Sequence, residues 1–375
     1  MTLEEALTLA SRVGLLMGVL TFVVLSLVWL ERKLLGRIQR RMGPMRVGFH
    51  GLLQPIADAV KLVVKEDLTP AWADKGVFWV APLVVFVPSF MIWVTIPFAH
   101  DIVLRSLDMG LLYIIAFSVL SIVGLVMAGW GSASKYAILG GLRSAAQLVS
   151  YEIPIIMVVI AVAMLSQSLN LVTIVEDQRV IPYAALQPLG LTIFLLAGIA
   201  EVGRTPFDIY FAESELVGGP FVEYSGAHWA VMYLAEYINT FAIGILVAIL
   251  FLGGWTFPFM PDIAWLGFLW VALKTYMVVF VMFWFRGTFP RLRVDQLMSF
   301  GWKVLIPLSF VNIGITAFYL FYGWPGWSLT LLSLLITAAT GYAMYRRWTW
   351  PARATTAQRL ARARAYGRPE VPNAG

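Results

Sequence analysis

Long apolar runs dominate the chain, and short polar stretches separate them. Runs of about 20 apolar residues have the length of a helix that crosses the hydrocarbon core of a bilayer. A membrane β-barrel would instead show alternating segments of about ten residues. We therefore predict an all-α, polytopic integral membrane protein with a single transmembrane domain over 1–350. Its nine predicted spans are 12–30, 77–98, 109–130, 145–166, 186–203, 229–252, 263–285, 304–322 and 327–346.

The polar stretch after the first span has a pattern of its own. In GLLQPIADAVKLVVKE, residues 51–66, apolar and polar side chains occupy opposite faces of a helix. The apolar face holds Leu52, Leu53, Ile56, Val60, Val63 and Val64, and the polar face holds Gln54, Asp58, Lys61 and Lys65. The stretch is too charged to span a bilayer. It predicts an amphipathic helix that lies along the membrane surface or against a partner, although an ordinary surface helix fits the periodicity equally well.

Composition supports the membrane class and excludes several chemistries. Hydrophobic residues make up 60% of the chain, charged residues 13%, and the mean hydropathy is +0.81. Without cysteine there is no disulfide, thiolate zinc site or cysteine-held iron–sulfur cluster. The three histidines, His50, His100 and His228, are scattered, and no glycine-rich nucleotide loop occurs in a strand–helix context. We expect this chain to hold no metal, flavin or other electron carrier.

Basic residues predict the orientation. Of the 27 lysines and arginines, 23 fall in alternate polar stretches on one side of the predicted spans, and three fall on the other. By the positive-inside rule, the N-terminus faces out and the C-terminus faces the cytoplasm. The net charge of +6 therefore indicates orientation and contact with anionic lipid, and no nucleic-acid partner is expected. We expect 351–375 to form a basic, flexible cytoplasmic tail, and the acidic start MTLEEALTLASR to belong to a retained first span.

Carboxylates concentrate around one polar stretch, EVGRTPFDIYFAESELVGGPFVEYSGAH, residues 201–228. We predict an acidic cytoplasmic loop at about 204–228 that contains the single base Arg204. The acids of the whole stretch are Glu201, Asp208, Glu213, Glu215 and Glu223.

Further charges fall inside predicted spans. Glu152 and Glu236 each lie about 10 Å below the cytoplasmic surface, Glu201 lies about half as deep, and Lys274 is near the middle of its span. A charge at the bilayer centre costs about 2.5–3.5 kcal/mol on insertion scales. Each acid alone fits a structural hydrogen bond to a neighbouring helix. The graded series favours a proton or ion path, and we expect Lys274 to pair with an acid on a neighbouring helix.

Several long blocks resemble one family. ERKLLGRIQRRMGPMRVGFHGLLQPIADAVKLVVKED (31–67), GSASKYAILGGLRSAAQLVSYEIP (131–154), AEVGRTPFD (200–208), EYSGAHWAVMYLAEY (223–237) and RGTFPRLRVDQLMSFGWKVLIP (286–307) are similar, in order, to signatures of the H-subunit family of NADH–quinone oxidoreductase, respiratory complex I. The resemblance covers residues 1–346.

The resemblance implies a multi-pass subunit of the bacterial inner membrane that is inactive alone and contacts lipid. Its implied partners are the peripheral-arm quinone-site subunits and the antiporter-like membrane-arm subunits. It implies a proton-pumping complex in which this chain walls a chamber for ubiquinone or menaquinone. By motif, the residues near the chamber are Arg32, Asp58, Ala59, Arg204 and Phe207. By motif, a coupling path holds Glu152, Glu201, Glu213, Glu215, Glu223 and Glu236, to which we add Asp208 and Lys274 as candidates.

Two positions depart from the family pattern. Members commonly read Asp-Leu-Pro-Glu-Ala-Glu where this chain reads Asp-Ile-Tyr-Phe-Ala-Glu, so Phe211 replaces a glutamate. Val119 stands where many members carry a glutamate in the third span. We expect a path with fewer carboxylates, in which each remaining glutamate is less replaceable.

Two other functions remain open at the level of sequence. A membrane subunit of a related hydrogenase or ferredoxin-linked complex shares the fold and some acids, although the GLLQPIADAVKL block favours a quinone-reducing complex. A stand-alone ion or proton transporter also fits intramembrane acids and a lysine. Such transporters usually contain internal repeats around a midplane site, and no repeat is visible here.

Overall fold

The computed structural model describes residues 3–100, 102–209, 218–256 and 264–349. Within these ranges the chain is helical, and the pairing of Ala99 with Ile102 is an isolated β-bridge. The helices are α1 Leu3–Ile38, α2 Gln54–Val64, α3 Lys75–Met91, α4 Gly110–Gly131, α5 Lys135–Ser166, α6 Leu171–Asp177, α7 Tyr183–Leu186, α8 Pro188–Glu201, α9 Gly226–Leu250, α10 Ala264–Thr288, α11 Val294–Phe300, α12 Ile306–Tyr322 and α13 Gly326–Thr349.

Eight helices of the described ranges are long and apolar enough to cross a membrane, which confirms the polytopic all-α class. They are Ala10–Ile38, Lys75–Val94, Gly110–Gly131, Lys135–Ser166, Gly226–Leu250, Trp265–Thr288, Val294–Tyr322 and Gly326–Arg346. The predicted span 186–203 corresponds to α8, which has 14 residues and a length of about 21 Å. Because the hydrocarbon core is about 30 Å thick, α8 alone is short for a crossing. The nine-span topology and the orientation stay predictions.

Helix ends differ from the predicted spans where charged residues continue a helix beyond the apolar run. α1 continues to Ile38, eight residues past the predicted end at 30, and its last turns carry Glu31, Arg32 and Arg37. α5 begins at Lys135, ten residues before the predicted start. Hydropathy detects the apolar layer, whereas helices continue until a cap or turn ends them.

The packing core surrounds α9. Of the eight long apolar helices, α9 has the largest share of buried residues and α13 the smallest. Large side chains such as Trp93, Tyr151, Phe194 and Phe283 are fully buried around it. α9 contacts α1, α2, α3, α8 and α10, so its polar residues meet side chains from distant parts of the sequence.

The predicted amphipathic helix is confirmed as α2, with Pro55 in its first turn. Its polar face turns toward α1, and its apolar face is exposed, with Val60, Val63 and Val64 57%, 70% and 79% exposed. This face is therefore free to contact lipid, a partner or an apolar ligand.

Candidate functional site

Four charged side chains from four segments form a buried network. Nη1 of Arg204 lies 3.7 Å from Oε1 of Glu31, and Nη2 lies 3.0 Å from Oε1 of Glu236. Arg286 also pairs with Oε1 of Glu31. The side chains of Glu31 and Arg204 are each 4% exposed. Two acids and two bases balance in formal charge, which buried ions require. We call Glu31, Arg204, Glu236 and Arg286 the buried charge network.

Two tyrosines of α9 extend the network. The Tyr237 hydroxyl donates to Oε2 of Glu31 at 2.6 Å, and the Tyr233 hydroxyl donates to that of Tyr237 at 3.0 Å. The guanidinium of Arg204 lies over the Tyr237 ring, 4.4 Å from its centroid. Because residues four apart share one face of a helix, Tyr233 and Tyr237 point to the same site.

Arg204 stays charged although it is buried. Burial alone would lower the pKa of Arg204, but the nearby charges of Glu236 and Glu31 raise the pKa well above its usual value. Nη2 of Arg204 and Oε1 of Glu236 are close enough for an ion pair, but their angles do not fit a hydrogen bond. Nε and Nη2 have no aligned hydrogen-bond partner within the described ranges. Both nitrogens are buried, so the guanidinium keeps hydrogen-bonding capacity that the described residues do not use.

The segment that carries Arg204 is fixed by backbone contacts. Nε2 of Gln147, on α5, donates to the carbonyl groups of Ala200 at 2.7 Å and Phe207 at 2.9 Å. The N–H of Leu292 donates to the carbonyl of Pro206 at 3.0 Å. A buried glutamine and the segment before α11 therefore hold the end of α8 and the RTPFD motif in one position.

Phe207 and Asp208 complete the RTPFD motif, residues 204–208, that begins with Arg204. Phe207 is 3% exposed and packs against the rings of Tyr151 and Phe300, at centroid distances of 5.8 and 6.0 Å. Asp208 pairs with Arg291 at 3.0 Å. Phe207 thus packs against α5 and α11, and Asp208 is tied to the segment between α10 and α11.

The buried charge network borders a cavity of about 620 Å³, which we call the polar chamber. Its lining combines charged side chains with aromatic rings: Glu31, Arg32, Leu35, Arg204, Gly218, Phe221, Val222, Tyr224, Trp229, Tyr233, Glu236, Tyr237 and Arg286. Aromatic walls with a few oriented polar groups are typical of sites for flat organic ligands.

A second, mostly apolar cavity of about 90 Å³ lies deeper between the helices; we call it the inner cavity. Its polar lining residues are Ser89, Ser118, Ser121, Glu201, Glu236 and Asn239. Glu236 lines both cavities. Oε1 of Glu152 accepts a hydrogen bond from the Ser118 hydroxyl at 2.8 Å. Glu201 and Glu236 thus line the inner cavity, Glu152 is linked to it through Ser118, and Glu236 is its border with the polar chamber.

α2 is tied to the polar chamber through Arg32. Nη1 of Arg32 donates to Oδ2 of Asp58 at 2.5 Å, and Nε2 of Gln54 donates to Oδ1 of Asp58 at 3.4 Å. Burial alone would raise the pKa of Asp58, but the hydrogen bond and charge of Arg32 outweigh it and lower the pKa. Ala59 is exposed on α2. Asp58 and Ala59 lie outside the chamber lining, whereas Arg32 belongs to it.

The loop acids are described in part. Glu213, Glu215 and Phe211 lie outside the described residues. Glu223 is half-buried, next to the chamber-lining residues Val222 and Tyr224. Val119 is 41% exposed and points away from the inner cavity, whereas its neighbour Ser118 lines it.

Lys274 contacts backbone carbonyl groups, whereas we expected an acidic side chain as its partner. Its Nζ donates to the carbonyl oxygens of Leu252, Gly254 and Thr256 at 2.7, 2.7 and 2.9 Å. Among the described residues, no carboxylate lies within ion-pair distance of Lys274. The expected acidic partner is therefore wrong for this part of the chain, because the free carbonyls beyond the end of α9 already satisfy the ammonium.

Glu31 and Arg286 are the members of the network that sequence reasoning missed. The predicted first span ends at 30, so Glu31 reads as the start of a basic loop, and Arg286 reads as one more positive-inside residue. One signal was available: a glutamate at the boundary of an apolar run, directly before Arg32. Only the packing of α1 against α9 and α10 shows that Glu31 is buried.

Within the described ranges, no group of three or more histidine, aspartate and glutamate side chains is arranged so that it could hold a metal ion.

The fold and these cavities define the class: a multi-pass helical membrane protein with a buried charge network between a polar chamber and a mostly apolar inner cavity. The profile of the NADH dehydrogenase family matches residues 11–317, and the chain belongs to this family.

Curated relatives narrow the family further. The H subunit of NADH-quinone oxidoreductase from Geobacillus kaustophilus is 51% identical over 308 residues, covering 81% of this chain and 91% of the relative. The H subunits of the same enzyme from Anoxybacillus flavithermus and Dehalococcoides mccartyi are 50% and 49% identical, over 83% and 81% of this chain and 93% and 84% of their own. The predicted family is confirmed, and the chain is a multi-pass bacterial membrane protein of the H-subunit type.

Proposed function

We propose that this chain is the membrane-arm subunit that forms the quinone-access chamber of a proton-pumping NADH–quinone oxidoreductase. The peripheral arm holds the redox centres and closes the polar chamber from the cytoplasmic side. The chain itself binds the quinone and couples its reduction to proton movement. The names of the H-subunit relatives support this assignment, and so does the composition of the chamber.

The polar chamber suits a quinone head group. A quinone ring is flat and apolar on its faces, and it carries two carbonyl oxygens that gain negative charge on reduction. Phe221, Trp229 and Tyr233 supply aromatic surface, and Arg204 supplies a buried cation to the lining. A preorganised cation in a dry site stabilises the charge that develops on the reduced quinone.

Glu236 carries the proposal of coupling. It is an ion-pair partner of Arg204 on the chamber side, and it lines the inner cavity with Glu201. When Arg204 responds to a negative charge on the quinone, its hold on Glu236 weakens and Glu236 takes up a proton more readily. Protons then pass along Glu236, Glu201 and Glu152, with the Ser118 hydroxyl bound to the last.

The remaining candidates complete the path as proposals. Glu213, Glu215 and Glu223 connect the cytoplasmic side to the polar chamber, and Asp208 holds the RTPFD motif through Arg291. Beyond Glu152 the path continues to the antiporter-like subunits. α2 guides the quinone tail along its exposed apolar face, while Asp58 on the opposite face ties the helix to Arg32 of α1.

The test is Glu236→Gln in the assembled complex, reconstituted in sealed vesicles. Glutamine keeps the shape and the hydrogen-bonding capacity of glutamate but cannot exchange a proton. We expect proton uptake and quinone reduction to fall together, by ~10-fold or more, the scale of a lost proton-transfer group.

A matched control separates this effect from the general cost of removing a carboxylate. Glu176→Gln makes the same chemical change at a partly exposed acid paired with His100, away from both cavities. We expect this variant to keep both rates. The proposal fails if Glu236→Gln assembles and retains both rates, or if the two variants lose them equally.

A further inference from the structure

Three carbonyl groups from the turn beyond α9 converge on the ammonium of Lys274, a residue of α10. Their oxygens, from Leu252, Gly254 and Thr256, lie 2.7–2.9 Å from Nζ. An ammonium group has three donors and no acceptor, so each N–H has its own carbonyl. We call these three carbonyls the carbonyl cage.

The cage is built by the turn that follows α9. Gly253 and Gly254 have φ of +73° and +49°, a left-handed backbone that folds the chain back on the helix end. The N–H of Gly254 donates to the carbonyl of Ala248 at 2.8 Å, which closes the turn. The turn thereby brings the carbonyl oxygens of Leu252, Gly254 and Thr256, all beyond the last residue of α9, to one point.

The turn is held in place by contacts that do not involve Lys274. Nε2 of Gln178 donates to the carbonyl of Ile249 at 2.9 Å, and its Oε1 accepts from the N–H of Gly253 at 3.0 Å. The N–H of Ala184 donates to the carbonyl of Phe251 at 2.8 Å. Gln178 is 2% exposed, so these bonds are shielded from water. We therefore expect these contacts to hold the turn in place when the lysine is removed.

We propose that the carbonyl cage is a monovalent-cation site, and that Lys274 occupies it as a tethered ligand. Convergent backbone carbonyls replace the hydration shell of a small cation, as in ion-selective filters. In the unaltered chain, the ammonium fills the cage, excludes free cations and links α10 to the end of α9. This inference does not depend on the quinone chamber or on proton coupling.

The test compares two substitutions in the assembled complex. Lys274→Ala empties the cage and leaves space for a small amine, whereas Lys274→Met empties it but fills that space with apolar atoms. We expect both variants to lower the midpoint of thermal unfolding. Ethylammonium chloride should restore half or more of the loss in Lys274→Ala and none in Lys274→Met.

Further ions identify the chemistry of the site. Ethylammonium supplies three N–H donors, and potassium is a bare cation of the same charge. Tetramethylammonium carries the charge without donors and is too bulky for three convergent oxygens. The rise in stability should follow the concentration of the bound ion, as for any ligand that binds only the folded state. Recovery with potassium alone identifies an alkali-cation site, and recovery with ethylammonium alone identifies an ammonium site. Equal recovery with tetramethylammonium, or recovery with no ion, overturns the proposal.

If neither variant assembles, a measurement on the unaltered complex tests whether the cage holds the Lys274 ammonium. An amine-reactive acylating reagent should label Lys274 only after denaturation, since all three N–H groups are engaged in the cage. Rapid acylation of Lys274 in the folded complex, located by mass spectrometry, would show that the ammonium is not held there.

Discussion

Replacing Arg204 by methionine removes the guanidinium that lies 3.0 Å from Glu236 and 3.7 Å from Glu31. Methionine keeps much of the apolar stem and removes the charged head with its N–H donors. At an effective dielectric constant of ~20, each of these ion pairs is worth about 5 kcal/mol of attraction. The desolvation of the buried ions offsets most of that gain. The substitution therefore measures the free-energy cost of leaving a buried carboxylate without its cation.

The loss falls mainly on Glu236. Glu31 keeps Arg286 and the Tyr237 hydroxyl as partners, whereas Arg204 is the cation paired with Glu236 in the described ranges. Breaking a buried pair by removing one partner costs about 3–5 kcal/mol. We expect Arg204→Met to destabilise the chain by about that amount. Adding Glu236→Gln removes the stranded charge, so the double variant should be more stable than the sum of the single effects by ~2–3 kcal/mol.

The assay is unfolding of the purified chain in mixed micelles by an increasing mole fraction of dodecyl sulfate. The 15 tryptophans provide an intrinsic fluorescence signal. Arg105→Met is the matched control, because Arg105 is exposed and the same change there should cost less than about 0.5 kcal/mol. If Arg204→Met and Glu236→Gln are additive within ~0.5 kcal/mol, the two side chains are not coupled and the reasoning is refuted.

Two further predictions concern α2. The folded-state pKa of Asp58 is lowered, so the stability from its pairing with Arg32 is present above the unfolded pKa of about 4 and is lost as pH falls through the folded value. Because both side chains are partly exposed, Asp58→Asn should cost only about 0.5–1 kcal/mol near pH 7 and less at pH 2, which unfolding at both pH values measures; an equal cost at both would contradict the pairing. Ala59→Leu should narrow the quinone passage, lowering the rate with long-tailed quinone more than with a short-tailed analogue in assembled complex, and full activity with both would count against a passage beside α2.

The sequence reached much of the fold because its signals are local. An apolar run of about 20 residues predicts a membrane helix wherever it occurs, and the amphipathic period of 51–66 predicted α2 without reference to any other segment. The acids Glu152, Glu201 and Glu236 stood out by the same reasoning, since a charge in an apolar run is costly in any context. The order of long motif blocks was enough to predict the family.

The partners of those charges were decided only by the tertiary structure. Glu31 and Arg204 are 173 positions apart, and nothing near either residue in the sequence indicates that they meet. The partner of Lys274 was likewise not predictable from the sequence. A lysine in a span predicts a partner, but the choice between a carboxylate and a set of backbone carbonyls depends on where α9 ends and how its last turn folds. Hydropathy and helical period describe each segment against lipid and water, whereas an ion pair depends on the distance between segments, which only helix packing sets.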